Sequence, residues 1–203
     1  MFGSVVGDYK MNVYDFDNTI YDGDSTLDFY FYELWKHPAI LRVLPQQVSG
    51  IIRYKLHKID KTQFKEIFFS FLQEIEDIDT DLSEFWDLKQ CKIKQWYING
   101  QNMDDVIISA SPEFLLEEIC KRININYLIA SRVNKKTGKF IGLNCHDTEK
   151  KRRFEAIFGH TQIQKFYSDS YSDSPLANIA FEAYYVKKNK ILKWTKDIRK
   201  SKM

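Results

Sequence analysis

One short apolar segment, Met11-Asn12-Val13-Tyr14, runs straight into the carboxylates Asp15 and Asp17, and the chain's other strand-like segments all lie beyond residue 100. Between them, residues 25–100 are rich in aromatics, helical in period and poor in turn signals. Phe29, Phe31, Tyr32 and Trp35 mark a first helix that stops near His37-Pro38. A second segment starts around Pro45 and runs through Ile51, Ile52 and Leu56. Asp60 is placed to cap a third, carrying Phe64, Ile67, Phe68, Phe71 and Leu72. A fourth is expected over Leu82–Tyr97, and Asn99-Gly100 closes the block. After it, strand-like segments at Val106–Ile108, Tyr127–Ala130, Gln164–Tyr167 and Ala183–Val186 alternate with helical ones after Pro112 and over Lys150–Phe158; a small hairpin around Thr137-Gly138 is also expected. Strands alternating with helices require crossover connections and hence a parallel sheet covered on both faces. The expected fold is α/β: a three-layer, Rossmann-like parallel-sheet core from residues 1–24 and 101–203, with a helical cap domain, residues 25–100, inserted after the first strand.

The bulk properties suit such a fold and narrow the function classes. The 203 residues are 44% hydrophobic, enough to bury a real core. Charged residues nearly cancel at a net +2, so nothing global calls for a nucleic-acid partner. No apolar run approaches the ~20 residues that span a bilayer. Residues 1–10 lack a secretory apolar region and cleavage site, and Met11 would itself serve as a first residue. Cys91, Cys120 and Cys145 form no metal-ligand spacing; an odd, sparse set points to a reducing cytoplasm.

The richest chemistry follows the first strand, in Asp15-Phe16-Asp17-Asn18-Thr19. Carboxylates at i and i+2 after a buried strand lie at its carboxyl end, where open α/β sheets bind ligands. Two such carboxylates repel and call for a hard cation such as magnesium. One can attack phosphorus, and the other can protonate a leaving alkoxide and later activate water. Taken alone, an acidic turn or helix cap explains the same residues. Three further segments complete the chemistry. Ser109 and Ser111 follow a strand and precede a helix, a placement suited to phosphate oxygens, although a simple N-cap is the plainer reading of Ser111. Lys150 starts a basic helix and can neutralise a phosphoryl group. Asp169 and Asp173 follow another strand in Ser168-Asp169-Ser170-Tyr171-Ser172-Asp173.

Together these four segments resemble the motifs of the haloacid dehalogenase superfamily over nearly the whole chain. Asp15–Thr19 matches its DxDxT motif, Ser109 the second-motif serine, Lys150 the third-motif lysine, and Asp169 with Asp173 the fourth motif. Ile107–Ile119 and Tyr167–Leu176 resemble the phosphoserine-phosphatase-like branch, whose helical cap sits between the first two motifs. Asp17 argues against a dehalogenase, because those relatives lack it. The resemblance implies a phosphoaspartate on Asp15, with Asp17 as acid and base. It implies Mg2+ held by the Asp15 side chain, the Asp17 carbonyl and Asp169. It places Thr19, Ser109 and Lys150 on phosphate oxygens, and Asp173 behind Lys150 or a metal-bound water. The substrate would be a small phosphorylated metabolite.

Substrate choice should lie with the cap and the loop into it. Asp24 stands where phosphoserine phosphatases resemble one another in carrying a glutamate that reads the substrate amine; here it is either a substrate carboxylate or the N-cap of the first cap helix. Arg42 and Arg53 are candidates for a substrate carboxylate, with solvated surface charge as the alternative. Phosphatidylglycerophosphate phosphatases look similar in motif set, so a lipid phosphate at a membrane surface is the second reading, and a non-catalytic binding module the third. The C-terminus is strongly basic, with Ile191, Trp194 and Ile198 at i, i+3 and i+7. That pattern suits a final helix packed on the sheet or, alternatively, a segment lying on anionic membrane.

Overall fold

The computed structural model describes residues 11–159 and 161–195. The expectation about residues 1–10 lies outside them.

Six strands form one sheet in the order β3-β2-β1-β4-β5-β6. The strands are β1 (Met11–Tyr14), β2 (Val106–Pro112), β3 (Tyr127–Ser131), β4 (Ile163–Ser168), β5 (Ala180–Lys187) and β6 (Lys190–Lys193). All neighbours are parallel except β5 and β6. The apolar strands therefore need cover on both faces, and alternate side chains divide accordingly. Val13, Val106, Ile108, Ile163 and Phe166 join a buried cluster with Phe154 of α7 (Thr148–Phe158) and Leu176 of α8 (Ser174–Ala177). Tyr14 and Ile107 join a second cluster with Leu115, Leu116 and Ile119 of α6 (Glu113–Arg122) and much of the 25–98 segment. This is the expected three-layer α/β arrangement.

That segment holds α1 (Ser25–Lys36), α2 (Leu44–Lys55), α3 (Lys61–Phe68), α4 (Ile78–Lys89) and α5 (Gln95–Ile98), joined in part by 3-10 turns. Asp60 caps α3 with a reciprocal capping box to Gln63, as its position suggested. The fourth helix differs from the expected Leu82–Tyr97. It starts earlier, capped by Asp77, and ends at Lys89, because Ile93 pairs with Tyr21 and Lys94 turns inward to the first-motif loop. The helical period of Phe85, Trp86 and Leu88 hides this break, since an apolar residue on a short extended link packs as well as one on a helix.

Two further expectations are corrected. Residues 132–145 close on a single bridge, Val133 to Phe140, instead of a two-stranded hairpin. Gly138 is required there: its φ is +72°, and a Cβ would stand 2.3 Å from the Phe69 carbonyl oxygen. The described part of the basic tail is not helical. Lys190–Lys193 forms antiparallel β6 on the open edge of β5, after a two-residue turn with Lys188 at φ +55°. Trp194 then packs on Tyr171, Tyr185 and Phe166. An open strand edge offers ladder hydrogen bonds that no helix at this position would satisfy. Ile198 and the basic residues from Lys196 onward lie outside the described residues.

Candidate active site

The carboxyl ends of β1, β2 and β4 lie side by side, which gathers three of the four motifs at one sheet edge. Tyr14 pairs in register with Ile107 and Tyr167, so Asp15, Ser109 and Asp169 follow on adjacent strands. The Asp15 N–H donates to the Tyr167 carbonyl at 2.9 Å. Beyond Asp15 the chain wraps into a tight loop, with the Phe16 carbonyl accepting from Thr19, Ile20 and Tyr21. Asn18 takes φ +57° there, a conformation Asn tolerates better than most residues. Beside it, the β2–β3 register shifts between Ile108 and Pro112, which frees Ser109, Ala110 and Ser111 from regular pairing.

Lys150, in the first turn of α7, brings the fourth motif and the first together. Its ammonium is 2.7 Å from Asp15 Oδ1 and 2.8 Å from Asp173 Oδ2, and all three residues are buried. Ser168 Oγ donates to the same Asp173 oxygen at 2.7 Å. Asp173 thus faces the lysine, in the position expected for a residue that orients it.

Asp17 points elsewhere. It accepts from the Ser25 N–H at 2.6 Å and from the Ser111 hydroxyl, and it is in no ion pair among the described residues. Burial, and then the negative charge of Asp24, push its carboxyl up to about 6 despite those donors. Ser111, read from sequence more plainly as a cap, is therefore a partner of Asp17; Pro112 occupies the cap position of α6. Ser109 Oγ accepts from the Ser111 N–H at 3.1 Å. The Thr19 hydroxyl, expected on a phosphate oxygen, accepts from the Asp169 N–H at 3.0 Å, which ties the two acidic loops together and leaves its proton to donate. Asp24 is exposed and caps α1, accepting from the Leu27 N–H at 2.9 Å.

The acidic groups fit a hard divalent cation. Burial and the adjacent Asp15 carboxylate push Asp169 up to about 7. Burial also raises Asp15, which Lys150 offsets only in part while Asp173 adds to the rise. Three carboxylates thus converge where one ammonium is available, and a cation on Asp15 and Asp169 would relieve that excess. Neither Arg42 nor Arg53 forms an ion pair among the described residues, and both are exposed.

Three lysines and a histidine escaped sequence reasoning. Lys65 of α3 reaches the second motif, donating to the Ala110 carbonyl at 2.7 Å and to Asn144 Oδ1 at 3.2 Å. Burial, then the nearby charge of Lys61, lower its ammonium to about 8. Lys61 itself is lowered by burial and by Lys150, and His146 by burial and by Lys61. Lys94 donates to the Asn18 carbonyl at 2.6 Å and the Lys188 carbonyl at 2.8 Å, pinning the first-motif loop to the β5–β6 turn. Isolated lysines and a lone histidine have no spacing that sets them apart from solvated surface groups, so none of these was visible beforehand.

Residues 13–178 match the family model described as haloacid dehalogenase-like hydrolase. Among solved structures, a protein of unknown function from Bordetella pertussis Tohama I is similar with a TM-score of 0.69 and 18% identity, over 86% of this chain and 88% of that one. A phosphoserine phosphohydrolase-like protein from Francisella tularensis subsp. tularensis SCHU S4 gives a TM-score of 0.52 and 17% identity, over 86% and 85%. A substrate-bound phosphoserine phosphatase gives 0.53 and 14%, over 86% and 84%. At these identities the likeness concerns the fold. No curated protein matches the chain. No helix among the described residues is long and apolar enough to cross a membrane.

Proposed function

The chain belongs to the haloacid dehalogenase-like hydrolases, and we propose that within them it is a magnesium-dependent phosphomonoester phosphatase acting through a phosphoaspartate on a small phosphorylated substrate. The observation that carries this reading is the contrast between its two neighbouring carboxylates. Asp15 is ion-paired to Lys150, whereas Asp17 meets only hydroxyl and N–H donors, and burial pushes its carboxyl up to about 6. Two carboxyl groups with separated environments are what nucleophile and acid–base roles require.

The Asp15 carboxylate attacks phosphorus in line. The bond to the leaving oxygen breaks as that oxygen takes the proton of Asp17. Asp17, now ionised, takes a proton from water as the water attacks the phosphoaspartate. The phosphorus–oxygen bond to Asp15 breaks, and phosphate leaves with both residues restored. Thr19, Ser109 and Lys150 hold phosphate oxygens, Thr19 also holds the two acidic loops in register, and Asp173 orients Lys150. A magnesium ion on the Asp15 side chain, the Asp17 carbonyl and Asp169 would neutralise the phosphoryl charge and draw those oxygens together. Residues 25–100 act as a cap, whose Lys61 and Lys65 add positive charge over the substrate. Asp24 serves as a helix cap in this reading. The test is turnover of a generic phosphomonoester with magnesium; no turnover, or turnover unchanged by EDTA, would defeat it.

The same reaction on a lipid-borne phosphate is the second reading, favoured by the exposed apolar and basic surface of α2. Comparing phosphatidylglycerophosphate in mixed micelles with short water-soluble esters separates the two. A lipid preference would select the second.

A further inference from the structure

No acidic residue occurs between Glu33 and Asp60. Within that span Arg42, Arg53, Lys55 and Lys58 are exposed and in no ion pair among the described residues. Interspersed with them, Trp35, Leu41, Val48, Ile51, Ile52 and Leu56 are large apolar side chains left in water, Trp35 being 80% exposed. The pattern on α2 is not an accident of loose packing. Its inner side is firmly seated: Gln47 is buried and bonded to Tyr30, Gly50 sits against Ile67, and Tyr54 stacks on Phe64 with ring centroids 5.1 Å apart. The solvent side presents Val48, Ile51, Ile52 and Lys55 at i, i+3, i+4 and i+7, one helical lane. An apolar lane of this kind costs free energy in water, and soluble surfaces rarely keep one without use.

We propose that this face, α2 with the turn before it, docks on an anionic lipid bilayer. The chemistry selects that occupant. A second copy would set four unpaired cations against four more, a like-charge contact that an apolar seam of single side chains would have to overcome. A bilayer with anionic headgroups offers both complements at once. Its acyl boundary takes Val48, Ile51, Ile52 and Leu56, and its surface charge attracts the arginine and lysine heads. The inference does not depend on which phosphate ester the site cleaves.

Full-length protein should co-sediment with vesicles of equimolar phosphatidylcholine and phosphatidylglycerol, and only weakly with phosphatidylcholine alone. Binding should fall as salt rises. Ile51→Gln with Ile52→Gln, and separately Lys55→Glu with Lys58→Glu, should each weaken it by roughly tenfold or more. All four residues are exposed, so melting temperature and turnover of a soluble ester should stay unchanged. No binding to the mixed vesicles at low salt would overturn the proposal. So would binding that survives both double variants, which would move the contact elsewhere, for example to the basic tail. A concentration-dependent dimer lost in the same variants would equally overturn it, assigning the face to a second copy.

Discussion

Asp15 and Asp17 are two positions apart, which on a continued strand would set both on one side, yet they meet different surroundings because β1 ends at Tyr14 and the chain turns into a loop between them. Asp15 turns to Lys150, and Asp17 to the N-terminus of α1 and Ser111. If Asp17 supplies the leaving-group proton, its removal should cost most where the leaving group is basic. Asp17→Asn should lower kcat/KM for an alkyl phosphate by on the order of 100-fold more than for p-nitrophenyl phosphate. Equal losses on both esters would take the proton away from Asp17. Asp173 has one carboxylate oxygen occupied by Lys150 and Ser168, whereas Asp169 faces Asp15. Calorimetric titration should therefore show Asp169→Ala weakening magnesium binding more than Asp173→Ala; the reverse order would exchange their roles. Asp15, Lys150 and Asp173 were legible in the sequence because carboxylates and a lysine beside strand ends form an ordered series. Ser111 was not, since a hydroxyl before Pro-Glu reads equally well as a cap, and only the β2–β3 irregularity turns it toward Asp17.

At the scale of elements, α3 carries the least expected contribution. Its Lys65 reaches the second motif with only neutral acceptors at hydrogen-bonding distance, so its charge is available to an anion. Lys65→Met should raise KM for a phosphate ester by about 10- to 100-fold, the weight of hydrogen bonds to a charged group. Since the free ammonium titrates at about 8, kcat/KM of the unaltered protein should fall above that pH, and the variant should lack that limb. A variant with unchanged KM and the same limb would remove Lys65 from the site. The junction of α1 and α4 holds another unusual group. Glu33 is fully buried and neither carboxylate oxygen has a hydrogen-bond partner among the described residues, although His37 Nε2 stands 3.5 Å from one of them; Asp81 takes Lys36 and His37. Burial, then the charge of Asp81, push Glu33 up to about 8. The folded state thus binds a proton that the unfolded chain releases near 4.5. Stability from this proton is fully present below that pH and is lost as pH rises toward about 8, by roughly 1–3 kcal/mol. Glu33→Gln should flatten this slope in denaturant titrations across that window; an unchanged slope would mean Glu33 is ionised throughout. The helices were readable from period and caps, as Asp60 of α3 illustrates. Their ends were not: the extended Ile93-Lys94 link is fixed by partners far along the chain, Tyr21 and Asn18.

In the whole molecule, the 25–98 segment is not a separate body resting on a sheet. Phe85 and Trp86 of α4 share a buried cluster with Leu115 and Ile119 of α6, and Trp86 Nε1 donates to the Leu115 carbonyl at 2.7 Å. The alternation of strands and helices made the three layers legible from sequence, because every parallel neighbour needs a crossover. How far the inserted helices merge with the core was not, since a helix buried in a cap and one buried against a sheet show the same period. Within the proposed cap, α3 brings Lys65 to the second motif while α4 packs on α6. All of this geometry serves one covalent event, so the most direct measurement looks for that event. Protein mixed with magnesium and a substrate ester, quenched in acid and mapped by peptide mass spectrometry, should carry a phosphoryl group on Asp15 alone. The label should vanish with EDTA and in Asp15→Asn, which should be folded and inactive. Magnesium-dependent turnover by Asp15→Asn, or a label on any other residue, would contradict the account.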